Sequence, residues 1–389
     1  MQNHHVDDFA LIMTPKRSPV MIFAGGTGGH VFPALAVAKQ IEKQSVPIIW
    51  VGTKRGIEAK LVPNAGYNIE WIAVNGLRGK NLATYILAPF KLALVSVQVT
   101  WLLIKHRPCV VLGMGGFVAG PGGLIAALMH KPLIIHEQNA IAGLTNRLLA
   151  PFAKRILTGF PSTFVRKNAE VLGNPVRAEI SQIQRQYKIA DPNDRPIRVL
   201  VFGGSLGAQV LNETVPAAMA KILAELPAEL HPEIWHQTGE HKNKFTLEKY
   251  KSQAVSSRVD AFIDNMQEAY AWADLVICRA GAITVAELSV AGVGAIFIPY
   301  PYAVDDHQTA NAGALVNAGA ALMIAEKELT ADSLAKVLQD LLINRTKLRS
   351  FAEATSVFAK PQAARDVAKI CIQTCLGKDD ENINMVKDF

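Results

Sequence analysis

Short apolar runs recur along the chain, each ended by a glycine-rich turn and followed by a stretch with helical spacing. In the first half they read "VMIFAG", "PIIWVG", "CVVLGMG", "PLIIHE" and "KRILTGF". The second half restarts with "RVLVFGG" and continues through "PEIWHQTG", "ADLVICRAG", "GAIFIPYP" and "AALMIAE". Strand, turn and helix in alternation predict parallel sheets with helices on both faces. Between the halves, Gly173–Arg198 holds three prolines, mixed charge and few apolar runs, which marks a domain boundary. The predicted fold class is therefore α/β, with two Rossmann-like, doubly wound parallel-sheet domains facing across a cleft. Residues 1–18 read as a flexible extension, 19–180 as the first domain, 181–197 as a linker, 198–376 as the second domain and 377–389 as a flexible tail. A chain of 389 residues exceeds what one core usually holds, in keeping with two domains.

One apolar stretch departs from the strand pattern. Leu82–Ile104 is long enough to suggest a membrane span, but Pro89 and Lys91 interrupt it. Arg78 and Lys80 precede it, and Lys105, His106 and Arg107 follow. This arrangement predicts an apolar patch with basic rims lying on an anionic membrane surface, with two ordinary helices packed on the sheet as the alternative.

Charge separates the halves. Residues 1–180 carry 19 Lys and Arg against 8 Asp and Glu, whereas the remainder carries 21 against 25, so the overall +7 belongs to the first half. That half is expected to meet something anionic. Aromatics are few and not interleaved with the basic residues, which argues against nucleic acid as the partner. The cysteines Cys109, Cys278, Cys371 and Cys375 have no spacing suited to zinc or a disulfide framework, and the first residues lack a signal-peptide pattern. Both points suggest a reducing, cytoplasmic compartment, with Cys371 and Cys375 as small buried hydrophobes one helical turn apart.

Two glycine clusters carry the candidate chemistry: "AGGTGGH" (Ala24–His30) behind the first strand, and "GGSLGA" (Gly203–Ala208) behind "RVLVF". A loop joining the carboxyl end of a strand to the amino end of a helix points unpaired N–H groups outward, and glycines let an oxygen-rich anion approach. Neither cluster completes the dinucleotide spacing G-x-G-x-x-G, because Val31 stands at the third position, and the second strand has no carboxylate placed to hold a ribose. A P-loop is absent from the sequence, and so is the Asp-x-Asp pair of many metal-dependent sugar transferases; no metal and no cofactor are expected.

The segments "GGTGGH", "GLRGK", "GMGGFVAGPGG", "HEQNAIAGLTN", "GNPVR", "GGSLGA", "WHQTG", "FIDNM", "YAWADLVICRAGAITVAEL" and "DDHQTANA" stand, in that order, as in the MurG family, which the chain resembles over roughly residues 20–370. Members are bacterial N-acetylglucosaminyl transferases of GT-B architecture that convert lipid I to lipid II in peptidoglycan synthesis. The resemblance implies UDP-N-acetylglucosamine as donor, undecaprenyl-pyrophosphoryl-MurNAc-pentapeptide (lipid I) as acceptor, inversion at the anomeric carbon, and peripheral association with the cytoplasmic face of the inner membrane. A different UDP-sugar enzyme of similar fold, such as a 2-epimerase or a lipid glucosyltransferase, is the alternative; a non-catalytic UDP-sugar or nucleic-acid binder is more distant.

With a diphosphate on each substrate, Ser205 and its helix terminus are expected to serve the donor diphosphate, and "GGTGGH" with "GMGGF" the acceptor side; by the same resemblance Thr27, Gly28 and Gly29 also touch the donor sugar. Main-chain groups near Ile263 take uracil. The run Ala282, Ile283, Thr284, Val285, Ala286 and Glu287 lines the nucleoside, with Glu287 accepting the ribose hydroxyls. Arg177 contacts the donor, and the amides of Asn139 and Gln308 read the sugar. His30 is the candidate general base and Glu137 the alternative base or the group that orients it. One position departs from the family: Leu206 follows Ser205, where glutamine is usual.

Overall fold

The computed structural model describes residues 18–74, 88–161, 164, 169–183 and 195–377. Arg78, Lys80, the start of the Leu82–Ile104 stretch, and most of the two predicted tails and the linker lie outside them.

Among the described residues the first sheet contains β1 (Val20–Phe23), β2 (Ile48–Gly52), β3 (Ile69–Trp71), β4 (Val110–Gly113), β5 (Leu133–Glu137), β6 (Arg155–Thr158) and β7 (Ala169–Val171). They pair in the order β3-β2-β1-β4-β5-β6-β7, all parallel. The second sheet contains β8 (Arg198–Phe202), β9 (Glu233–Gln237), β10 (Arg258–Asp260), β11 (Leu275–Cys278), β12 (Gly294–Phe297) and β13 (Ala321–Met323), in the order β10-β9-β8-β11-β12-β13, again all parallel. Each sheet winds outward both ways from its first strand, which puts a switch point, and so a ligand crevice, at the carboxyl ends of β1 and β8. β1 and β4 are buried along their whole length. Helices cover both faces, so the apolar positions of "VMIF" feed two separate cores: Val20 and Ile22 one, Met21 and Phe23 the other.

Two expectations are corrected. The helix Ala363–Cys375, assigned from sequence to the second domain, packs along the helix Gly28–Glu42, and its Val367, Ala368 and Cys371 enter the first domain's core. An amphipathic helix specifies that one face is buried, not which domain buries it. The cysteine reading also changes. Cys371 is buried as expected, but Cys375 is joined to Cys109 in a disulfide with the α-carbons 4.9 Å apart. These residues are 266 positions apart, and only the return of the last helix makes them neighbours.

Candidate active site

The first glycine loop leaves β1 and enters the helix Gly28–Glu42, with Thr27 in extended conformation at its start. Gly26 has φ +93°, a region closed to most side chains. No protein group among the described residues accepts the N–H groups of Thr27, Gly28 and Gly29. The loop is fastened from below by Glu58, a fully buried side chain that sequence reasoning missed. Its carboxylate accepts the Gly26 N–H at 2.9 Å, the Thr53 N–H at 3.0 Å and the Thr53 hydroxyl at 2.8 Å.

His30 sits one residue further on, half-buried, with its ring against Gly115 and Gly116 of "GMGGF". The Thr27 hydroxyl is 3.3 Å from its Nδ1. Burial depresses its pKa below the usual histidine value; Glu137 opposes the shift and His307, from the second domain, adds to it. The neutral imidazole is therefore the resting form at pH 7, as a proton acceptor requires. Glu137, at the end of β5, accepts four hydrogen bonds: the N–H and side-chain amide of Asn139 at 2.9 and 3.2 Å, the Gly143 N–H at 2.9 Å and the Asn146 amide at 2.9 Å. A carboxylate so engaged fastens the "HEQN" loop and faces His30 with a fixed charge.

The two domains meet at this loop. Asn311, buried and unflagged by the sequence reading although it lies in "DDHQTANA", accepts the Ala140 N–H at 2.8 Å and donates to Asn139 Oδ1 and the Ala280 carbonyl, each at 3.2 Å. Both ends of the Asn139 amide are thus held by protein. Gln308 accepts from the N–H groups of Ala280 and Tyr300 at 3.2 and 2.9 Å, which leaves its NH2 group for a ligand. Arg177 crosses the cleft in a two-pronged pair with Glu287, Nε to Oε1 at 2.9 Å and Nη2 to Oε2 at 3.0 Å. The Tyr270 hydroxyl adds a bond to Oε2 at 3.1 Å, so of the two oxygens of this buried carboxylate Oε1 carries fewer partners and keeps a lone pair for a further donor.

Ala282, Ile283, Thr284, Val285 and Ala286 form the first turn of the helix Ala282–Ala291 ahead of Glu287. The Ile263 side chain is in the core, while its N–H and carbonyl have no protein partner among the described residues. In the second glycine loop Gly204 also has φ +93°, and Ser205 is exposed at the entrance to the helix Gln209–Glu225. Gly207 lies so close to Thr238 that a β-carbon would overlap the Thr238 carbonyl. The ammonium of Lys242, also missed from sequence, binds the Leu206 carbonyl at 3.2 Å and brings a cation to this loop.

Outside the cleft, the helix Ala88–His106 exposes Phe90, Leu94, Val97, Trp101 and Ile104 along one face. Leu124, Leu128, Leu144, Leu148 and Phe152, on the neighbouring helices, are exposed as well. No described helix is long and apolar enough to cross a membrane. Lys105, expected as a rim charge, bonds to Glu70 at 2.7 Å, as does His106.

The description "Glycosyltransferase family 28 N-terminal domain" matches residues 20–158, and "Glycosyltransferase family 28 C-terminal domain" matches 198–369. A protein of Nitrosococcus oceani is 50% identical over 359 residues, 92% of this chain and 99% of its own length; one of Alkalilimnicola ehrlichii is 48% identical over 355 residues, 91% and 98%. Both are named UDP-N-acetylglucosamine--N-acetylmuramyl-(pentapeptide) pyrophosphoryl-undecaprenol N-acetylglucosamine transferase. The crystal structure of Acinetobacter baumannii MurG superposes with a TM-score of 0.80 at 38% identity, covering 92% of this chain and 99% of that one.

Proposed function

We propose that this chain, which belongs to glycosyltransferase family 28 and has the GT-B fold, transfers N-acetylglucosamine from UDP-N-acetylglucosamine to the muramyl sugar of lipid I, giving lipid II. Relatives matched along nearly their whole length are named for that transfer, and this favours it over epimerisation or simple nucleotide binding. The observation that carries the mechanism is the setting of His30: its ring stands at the start of a helix against Gly115 and Gly116, with the Thr27 hydroxyl 3.3 Å from Nδ1, and burial there favours the neutral imidazole.

In this reading His30 takes the proton from the acceptor's C4 hydroxyl as its oxygen attacks the anomeric carbon of the donor. The bond from that carbon to the phosphate oxygen breaks, UDP departs, and the configuration inverts. Glu137 stabilises the imidazolium so formed. Charge growing on the leaving diphosphate meets Ser205, the open amides of its loop and the amino end of the helix Gln209–Glu225, with Lys242 close by. Ribose is held at Glu287 beside Arg177, uracil at the Ile263 main chain, and the sugar by the free NH2 of Gln308 and the amides of Thr27, Gly28 and Gly29.

Lipid I is brought from a membrane, and the exposed apolar face of Ala88–His106 with its neighbours is the surface that rests on an anionic leaflet, the cytoplasmic face of the inner membrane. Incubation with labelled UDP-N-acetylglucosamine and a short-chain lipid I analogue is expected to yield UDP and the β-linked disaccharide. Recovery of an epimerised nucleotide sugar instead would sink the reading. Vesicle binding separately tests the surface: Val97→Glu with Trp101→Glu should release the chain from anionic vesicles without altering transfer to a water-soluble acceptor.

A further inference from the structure

A second cavity, of about 430 Å3, opens in the first domain between the turn after β2 and the helix Ala88–His106. The transfer chemistry above does not use it. Lys54 and Arg55 stand exposed on one wall, and no carboxylate among the described residues pairs with either. Trp71 and Gln98 form the opposite wall. The Trp71 indole N–H has no acceptor among the described residues, and Gln98 spends its carbonyl on the Ala73 N–H at 2.9 Å, leaving its NH2 group. Ile72 and Val74 supply apolar lining, and among the described residues no acidic side chain lines the space. Such a cavity offers hydrogen-bond donors and two positive charges beside an apolar surface, which suits an organic anion.

Its position narrows the choice. Thr53, on the cavity wall, and Gly26, in the first glycine loop, both donate to Glu58, so the cavity and the loop are two sides of one hydrogen-bonded unit. On the other flank, the same helix that contributes Gln98 turns Val97, Trp101 and Ile104 outward. The cavity thus lies between the apolar surface and the loop that carries His30.

We propose that this pocket receives the carboxylate-bearing peptide arm of the acceptor, with Lys54 and Arg55 as positioning residues. The inference rests on the proposed transfer to a muramyl pentapeptide. A peptide joined to the sugar through its amino end keeps a free carboxylate at the other, and its side chains match an apolar lining better than a diphosphate does.

The test uses two acceptors with the same lipid and pyrophosphate, one carrying the pentapeptide and one without peptide. The double variant Lys54→Glu, Arg55→Glu should raise KM for the peptide-bearing acceptor roughly tenfold, leaving kcat and the KM for UDP-N-acetylglucosamine unchanged. KM for the peptide-free acceptor should not move, and Lys54→Arg with Arg55→Lys should behave as wild type. An equal rise on both acceptors would assign the two cations to the pyrophosphate and overturn the proposal, and so would no rise on either. Both side chains are exposed, so an unchanged melting temperature is expected and separates a local effect from misfolding. Failure of the wild-type chain to transfer to either acceptor would instead overturn the parent reading, and this one with it.

Discussion

The two glycine loops share a strand, a glycine at φ +93° and a helix entrance, yet they are held by different means. The first is tied by side chains: Glu58 accepts the Gly26 N–H beneath it, and the His30 ring packs against the Gly115–Gly116 turn. The second is tied mainly by backbone, through the turn from Gly207 N–H to the Gly204 carbonyl at 2.9 Å and the close approach of Gly207 to Thr238, with the Lys242 ammonium on the Leu206 carbonyl as its side-chain tie. A side-chain scaffold fixes a reacting group within narrow limits. A bare backbone loop leaves its N–H groups and Ser205 open to a ligand that arrives and departs. The difference fits a division of labour in which the first loop positions the acceptor, its base and the donor's sugar, and the second receives the donor's diphosphate.

Acid should produce the largest effect, and it reaches both domains. His136, buried behind the first loop, donates to the Gly173 carbonyl at 3.1 Å, and burial depresses its pKa to about 4. His236, in the second core, lies between the Tyr250 hydroxyl and Asn212, and burial depresses its pKa to about 3. Each ring is kept neutral when folded and has an ordinary pKa near 6.5 when unfolded. Below that pH the unfolded chain binds a proton that the native state refuses. Stability present above pH 6.5 is therefore lost as pH falls toward 4 for His136 and toward 3 for His236, about 3 kcal/mol for the first and about 5 kcal/mol for the second. Urea midpoints at pH 7 and pH 4.5 measure it; equal midpoints would break the picture of two neutral buried rings.

His30→Ala tests the chemical half of the contrast. Turnover should fall by about 10²–10⁴-fold with little change in the KM for UDP-N-acetylglucosamine. In the wild type the acidic limb of the kcat/KM profile should lie below pH 6.5, because burial lowers the His30 pKa, and the variant should lose that limb. A variant that keeps the limb would transfer the base role elsewhere.

Glu58→Ala comes next. It orphans two N–H groups and a hydroxyl in a buried place, so a loss of about 3 kcal/mol is expected in chemical denaturation, with KM raised for the acceptor and for UDP-N-acetylglucosamine, because the same loop also meets the donor's sugar. Unchanged KM values for both substrates would mean that Glu58 does not hold this loop in its binding geometry.

What the sequence made legible follows from what each feature needs. Ten strands sit inside both sheets or carry apolar runs, and their positions could be read directly. The three that escaped, β3 "IEW", β7 "AEV" and β10 "RVD", are three-residue edge strands, where pairing on one side requires no apolar run. The helix Ala363–Cys375 announced a buried face but not its host, and the link between Cys109 and Cys375 depended on that host. In the site, residue types were accessible through resemblance, while their partners were not. Nothing in "TKRGIEAK" indicates that Glu58 alone would turn beneath Gly26, and nothing in "DDHQTANA" separates Asn311, which bridges the domains, from Gln308, which keeps donors free.

Leu206→Gln is the mildest change and the sharpest on assignment. Leu206 is 82% exposed, its carbonyl binds Lys242 and its side chain can be exchanged without disturbing a core. Stability should stay within about 0.5 kcal/mol. The added amide supplies one neutral hydrogen bond toward the donor, so the KM for UDP-N-acetylglucosamine should fall by roughly two- to fivefold while acceptor KM holds. The position after Thr27 in the first loop allows no such freedom: a β-carbon at Gly28 would come within 3.0 Å of the Phe32 ring. Should Leu206→Gln change acceptor KM and leave donor KM alone, the roles given to the two loops must be exchanged.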